Sequence, residues 1–533
     1  MSASAGRFDV VVVGAGHNGL TCAALLGRAG LRVLVVERRE RVGGAADTVE
    51  IAPGVRAPLA HGIGRMRGSV VRELELERHG LRFIRPNALA TALHPGGRAV
   101  RFVRDPHRTA DGLREWSAKD AEAWASFDRK VRALASVMAW LHAMTPPDLV
   151  APSMADAVAA LKLGSALRGL GGPSNLRETI RVLPTAVADF VEDHLDSDAV
   201  RTAVAVGGVR YTAMGPRAAG STAVLLAELA GTTSGPAGES ATAAGGPGAL
   251  SEALAAAVRA AGGEVRCGTE VRRVTVAGDR ASGVVLAGGE EVAAGAVVSG
   301  ADPRRTLLDL IDPEVLGPSL GWRAGTIRVP GTVAKVHLAL DGPPAFTAAS
   351  DGEVEGRLLV NATGIDELDL AFDPSKYGRL PERPFLDVTV PTAADPTLAP
   401  EGTHVVSAMV QWVPFELRDG SWDDAASRDA LADLVTTSLE EHAPGLAGHV
   451  VARHVVTPAD LEREYGLTGG HPLHAEPGLD QFFAWRPALG MARYRLPVPG
   501  LYLCGSGAHP GGGITGAPGA NAAREIQADL RRR

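Results

Sequence analysis

The chain has 533 residues, more than one compact core normally spans, and at roughly 150 residues per domain about two to four domains are expected. Hydrophobic residues make up 45% and charged residues 22%, a globular profile, while a net charge of −7 and only 4% aromatics argue against nucleic acid as a partner. Cys22, Cys267 and Cys504 lie too far apart in sequence for a CxxC pair, a thiolate zinc site or a disulfide framework, and no charge-free apolar run reaches the ~18 residues of a membrane-crossing helix. A reduced, cytoplasmic setting is expected, with peripheral membrane contact and oligomerisation left open.

The first element is "FDVVVVG" (8–14), a β-branched run suited to a buried central strand. Gly14, Gly16 and Gly19 follow in G-x-G-x-x-G spacing. The first permits a tight turn, the second a close approach of backbone to a pyrophosphate, and the third close packing of helix on strand. "LTCAALLGRAG" predicts a helix ended by Gly30, and "RVLVVE" a second strand. One βαβ unit then turns free N–H groups and a positive helix end toward phosphate. Glu37 closes the second strand, where its carboxylate accepts hydrogen bonds from both ribose hydroxyls and repels a 2′-phosphate.

"RRERVGGAADT" comes next, and Arg41, Gly43 and Gly44 form an R-x-G-G element. Its glycine pair lets backbone lie against a bulky diphosphate and its arginine neutralises charge. Simple nicotinamide dehydrogenases do not need this element. It resembles the second phosphate clamp of flavin oxidoreductases in the glutathione reductase and amine oxidase group, which points to FAD.

From about 90 to 240 the signals are helical rather than alternating. "DAEAWASFDRKVRALASVMAWLHAM" places Trp124, Phe127, Val131, Leu134, Val137 and Leu141 on one face of an amphipathic helix. "PSMADAVAALKLGSALRGLGG" is a weaker case, readable as a lid, a membrane-touching surface or a packing helix. "VRYTAMGPRAAGSTAVLLAEL" joins a turn to an apolar helix.

Beyond it, a helix from about Gly248 to Gly262 leads into "EVRCGTEVRRVTVAG" and "RASGVVLAGGEEVAAGAVVSG", strands joined by turn residues. They either return to the nucleotide domain or form a small domain of their own. Residues 326–475 carry "TVAKVHLALDG", "FLDVTVP" and "HVVSAMVQW", typical of an antiparallel sheet. The strand period puts Val333, Lys335, His337 and Ala339 on one face. Lys335 is either a site residue or a solvent-facing lysine on a half-exposed strand. At the carboxyl end "LYLCG" is a strand, "GSGAHPGGG" a loop, and a helix is expected from about Ile514. Its first turn would favour negative charge on the pyrimidine edge of a reduced flavin. No Ser-His-Asp arrangement, metal-ligand cluster or second full G-x-G-x-x-G unit is seen, so neither metal nor bound NAD is expected.

"GAGHNGL", "ERRERVGGAA", "LTGGHPLH", "LDQFFAWRP" and "CGSGAHPGGGITGAPGANAA" resemble the phytoene desaturase-like flavoproteins of the amine oxidase superfamily, within them the branch of the pyridine nucleotide-disulphide oxidoreductase domain-containing protein 2. The resemblance implies an α/β fold. A discontinuous Rossmann-type FAD-binding domain (1–85, 243–320 and 476–533) would join an α+β substrate domain on an antiparallel sheet (86–242 and 321–475). It implies that Gly14, Gly16, Asn18, Gly19 and Glu37 face the cofactor, with Arg38, Arg41, Gly43, Gly44 and Ala45 from the second clamp. Val271 would meet the adenine; Gly505, Ile514 and Thr515 would meet the flavin end. Gly215, Pro216, Gly220 and Ser221 resemble a pocket-lining loop. Lys335 matches a lysine that holds water beside flavin N5; His474 would be an acid or base. His509 lies near the ring, and His61 in "LAHGIG" is a further pocket candidate. The implied activity is removal of two hydrogens from a small apolar or amphipathic molecule, electrons passing to oxygen or a quinone. A double-bond isomerase, an amine oxidase and a non-catalytic flavin-binding regulator are the alternatives.

Overall fold

The computed structural model describes residues 8–150, 152, 172–232 and 235–532. The second amphipathic segment of the sequence reading, 152–172, falls almost wholly outside them.

One 7-stranded sheet gathers remote parts of the chain. Phe8–Val13 lies at its centre, parallel to Val33–Val36 on one side and to Glu291–Ser299 on the other. Glu264–Arg266 extends it parallel to Val33–Val36, and Leu501–Leu503 adds parallel to Glu291–Ser299. Val271–Ala277 and Arg280–Leu286 attach as antiparallel neighbours, so the 243–303 segment is part of this sheet and not a separate domain. Continuous valine runs suit strands covered on both faces. The helix His17–Arg28 packs between Pro247–Ala260 and Ala517–Leu530, which joins the two ends of the chain.

The last helix starts three residues later than the sequence suggests. Gly513 (φ 102°), Ile514 (φ 54°) and Gly516 (φ 67°) are left-handed, so a helix cannot begin before Ala517.

The second 7-stranded sheet runs Val450–Val456, Val333–Leu340, His404–Gln411, Leu386–Thr389, Arg357–Val360, Ala88–His94, Arg98–Val103. Two expectations are corrected here. Residues 88–94 and 98–103 are strands, not helical, and Arg357–Val360 pairs parallel to Ala88–His94, so the sheet is not purely antiparallel. Ala88–His94 is buried along its whole length, which removes the polar–apolar alternation that would have marked it. Ala334, Val336, Leu338 and Leu340 pack beside the helix Ala425–Glu440 in one core. The opposite face turns Lys335 and His337 inward, both buried. Helices Ala118–Ala143 and Ser221–Leu229 build a further core with Leu359, Phe385 and Trp412.

Candidate functional site

Two cavities meet between the sheets. The first is a cleft along the opening βαβ unit, lined by Gly14, Gly16, Asn18, Gly19, Glu37, Arg38, Gly44, Ala45, Val271 and Gly505 among others. The second lies under the second sheet and is lined by His61, Lys335, Arg210, Met409 and Ile514 among others. His17, Ala45, Pro472 and Ser506 border both, so the two spaces adjoin.

Local backbone explains the cleft. Gly14 has φ 92°, and a Cβ on Gly19 would overlap the Gly14 carbonyl oxygen, so this turn tolerates no side chain there. Gly16 caps the helix His17–Arg28 with no side chain over its end, leaving the first-turn N–H groups facing the cleft. The Glu37 carboxylate accepts from the Ala15 N–H (2.7 Å) and the Arg39 N–H (3.0 Å), locking the glycine loop to the second strand. A lone pair on each oxygen is left over for a ribose. His17 Nε2, Asn18 Oδ1 and His474 Nδ1 are buried in this wall without a hydrogen-bond partner. A ligand rich in hydroxyl and phosphate oxygens fits that requirement.

The clamp differs in detail from the sequence reading. Arg39, not Arg41, lines the cleft, held by Asp47 at 2.7 Å and stacked 4.4 Å from the Tyr465 ring centroid. Arg41 pairs with Asp47 from the outside and is half exposed. Gly43 sits behind the wall, its N–H donating to the Ala15 carbonyl at 2.9 Å. Thr515 Oγ1 accepts from the Ala517 N–H at 3.1 Å, and the residue borders a smaller third cavity.

The three catalytic candidates separate in space. Lys335 is 5% exposed, which removes the solvent-facing alternative, and its Nζ lies 3.0 Å from His61 Nδ1. His61 Nε2 reaches the Asp387 carbonyl oxygen, so the proton sits on Nε2 and Nδ1 accepts from Lys335. Burial pushes the Lys335 ammonium down to about 7, with Asp387 opposing and Arg210 adding to the effect. Burial, then Lys335, also drives His61 well below its ordinary value, so it stays neutral. Burial pushes the Asp387 carboxyl up, but Arg357 and Arg210 outweigh it and hold it below the usual carboxylate range.

His474 lies in the dinucleotide cleft instead, and burial beside Arg486 and His471 lowers it to about 3. An acid–base role near neutral pH is therefore corrected to that of a neutral hydrogen-bonding wall group. His509 borders neither cavity. It is fully buried, donates from Nε2 to the Leu141 carbonyl at 3.0 Å, and packs edge-on to Phe483, so its place is structural. Of the pocket-lining loop, Ser221 Oγ accepts from the Val187 N–H and lines neither space. The cavity-facing residues of that region are Arg210 and Tyr211, just before it.

Sequence reasoning missed a buried ionic wall. Arg357 forks onto Asp387 through Nε (3.1 Å) and Nη2 (2.9 Å). Arg210 Nε stands 2.9 Å from the same carboxylate, and Arg65 pairs with Glu228 at 2.6 Å. Only tertiary structure joins these residues. The fold also brings Cys22 and Cys504 together as a buried hydrogen-bonded thiol pair, which raises the Cys22 pKa.

Comparison with known proteins accords with this geometry. The model of the family described as "Flavin containing amine oxidoreductase" matches residues 19–527. The rat protein "Pyridine nucleotide-disulfide oxidoreductase domain-containing protein 2" is 35% identical, over 98% of this chain and 94% of that one. A phytoene desaturase (lycopene-forming) of a Paracoccus strain is 26% identical over 96% and 95%. A solved putrescine oxidase double mutant shares the fold at TM-score 0.64 and 17% identity, covering 99% of each chain. The chain is a flavin-dependent oxidoreductase and belongs to the flavin containing amine oxidoreductase family.

Proposed function

We propose that this protein is an FAD-dependent dehydrogenase that removes two hydrogens from an apolar or amphipathic organic substrate. The carrying observation is the buried Lys335–His61 pair in a cavity adjoining the dinucleotide cleft. FAD held along that cleft supplies the hydride acceptor.

The chain's own groups have definable tasks. Glu37 fixes the glycine loop and offers lone pairs to a ribose, while Arg38, Arg39 and Arg305 bring positive charge to the cleft. Leu59, Val333, Met409, Leu461, Leu473 and Ile514 give the second cavity an apolar lining that excludes water from a bound hydrocarbon chain. Lys335 Nζ, titrating near neutrality, holds or releases a proton, and His61 Nδ1 fixes where that nitrogen points. The named activity of the Paracoccus relative, a desaturase, supports C–H dehydrogenation. Electrons then pass to oxygen or a quinone. A small-molecule substrate is the proposed partner. No helix among the described residues is long and apolar enough to cross a membrane.

The fold likeness to putrescine oxidase favours an amine substrate as a second reading. The lining carries Arg65, Arg210, Arg357 and Lys335 together with Glu228 and Glu239, so its charge does not decide between the two substrate classes. Anaerobic mixing of the FAD-loaded protein with polyenes, terpenoids, fatty acids and amines decides the matter. Loss of flavin absorbance with a polyene, terpenoid or fatty acid supports the dehydrogenase. Reduction by amines alone, with ammonia released, refutes it. Conversion without mass change, dependent on prior flavin reduction, establishes an isomerase instead.

A further inference from the structure

Beside Lys335 the second sheet carries a polar row that the proposed reaction leaves unused. His337 follows Lys335 by two positions on the same inward face, about 6–7 Å along the strand. It stands opposite His454 on one neighbouring strand and opposite Ser407 on the other, so the three side chains form a line across the sheet. His337 is fully buried, and neither its Nδ1 nor its Nε2 has a hydrogen-bond partner. Ser407 Oγ is buried and unpartnered as well. Orphaned polar atoms are costly in a dry core, and three of them side by side meet what one ordered water needs, about two to four polar partners.

The line runs from the cavity wall to solvent. His454 is half-buried on the edge strand Val450–Val456, and its ring lies 6.0 Å from that of His337, 22° from parallel. Burial lowers the pKa of His454, Glu464 and Asp460 of the helix Pro458–Tyr465 oppose this, and Arg428 adds to it. Burial, then Lys335, His454 and His61, drives His337 well below the ordinary histidine value. His337 is therefore neutral, with one nitrogen to accept a proton and the other to donate one. Lys335 needs such a link: it is buried, and the lining beside it is largely apolar.

We propose that His337 and His454 form a proton path from buried Lys335 to solvent, completed by ordered water held between His337 and Ser407. What the path carries rests on the dehydrogenase reading. That reaction makes a C=C bond by sending a hydride, with its electron pair, to the flavin and a proton from the adjacent carbon to the neutral Lys335 amine. The resulting ammonium passes its proton to the water at His337. His337 takes a proton on one nitrogen and releases one from the other toward His454, which exchanges with bulk water. Lys335 is then free to accept again. His337 and His454 line neither cavity, so they are positioning residues for the proton and not catalytic ones.

The test needs no turnover, because the chain has only five lysines. The full-length, FAD-loaded, oxidised protein is labelled with ¹³C at lysine Cε, and Lys335→Met identifies the Lys335 resonance. Near its midpoint of about 7 the wild type should show one averaged Lys335 signal, the mark of fast proton exchange. His337→Leu keeps the bulk and removes both nitrogens. It should slow exchange roughly a hundredfold, the low end of what a positioned proton-transfer group is worth, and split or broaden the signal. His454→Ala, at the half-buried end, should also broaden it, and added imidazole should restore the averaged signal in this variant and not in His337→Leu. Separate charged and neutral Lys335 signals in the wild type overturn the path, as does an unchanged line shape in either folded variant. An His454→Ala protein that imidazole leaves broadened overturns the solvent end. Each of these results leaves the dehydrogenase reading standing if polyenes or terpenoids bleach the flavin, and failure of every such substrate refutes that reading while the exchange data still decide the path.

Discussion

The dinucleotide cleft and the cavity beneath the second sheet are built on opposite plans. The cleft is mostly backbone: a glycine turn, a helix end, a carboxylate spent on two N–H groups. The cavity is mostly side chains, with Lys335, Arg357, Asp387, Arg210, Glu228 and Arg65 arriving from six separate stretches of chain. Backbone sites depend on short contiguous patterns, and side-chain sites depend on tertiary packing. Substitutions should therefore fail differently in the two places.

The largest effect is expected at Arg357. Arg357→Met takes the two-point partner from the fully buried Asp387 and leaves it Arg210 alone, a loss approaching the ~3–5 kcal/mol of a broken buried pair that thermal unfolding will register. Pairing it with Asp387→Asn should restore much of the stability. Next comes Gly19→Ala in the cleft. The new Cβ meets the Gly14 carbonyl oxygen, which is backbone and cannot swing away, so FAD content per protein should fall sharply while the second sheet stays folded. The ratio of flavin to protein absorbance measures it, and an unchanged ratio would show that the turn is not the phosphate clamp.

Lys335→Met tests the cavity more finely. Slower flavin reduction or reoxidation with FAD still bound is expected, along with loss of any inflection near pH 7. The same residue shapes stability. Between pH 7 and 10.5 the unfolded chain keeps a proton that folded Lys335 has released, so folding becomes more favourable as pH rises across that window. The slope is at most about 1.4 kcal/mol per pH unit. Below the window the full penalty of burying the lysine remains. Denaturant midpoints for wild type and Lys335→Met should therefore converge as pH rises from 7 to 10.5. Smallest is Arg41→Ala, within about 0.5 kcal/mol for a half-exposed pair. Arg39→Ala should weaken FAD binding measurably, although the two arginines look equivalent in sequence.

How far the sequence could be read follows the same division. The glycine loop and Glu37 are legible because each role needs a particular residue at a particular offset from its neighbours. Arg39 and Arg41 stand two and four residues past Glu37, and spacing alone cannot choose between them. The Arg39 N–H on Glu37 decides it by turning that residue inward. His61 and Lys335 were each visible as candidates, but their 3.0 Å contact spans 274 residues and follows from the second sheet closing over the loop at 59–64. Arg210 and Glu228 carried no motif at all. His509 stood in a glycine-rich setting that suggested the ring, yet its side chain turns back to the Leu141 carbonyl. The strand Ala88–His94 escaped notice because it is covered on both faces.

The four residues bordering both cavities come from the beginning, the second clamp and the final third of the chain. Whatever threads that neck is gripped at once by the first turn and the last strand, and so acts as a suture between amino- and carboxyl-terminal portions. Loading should then protect both extremities together from protease, and release should loosen them in concert, since a ligand bound only by the native state raises the free energy of opening every part it bridges.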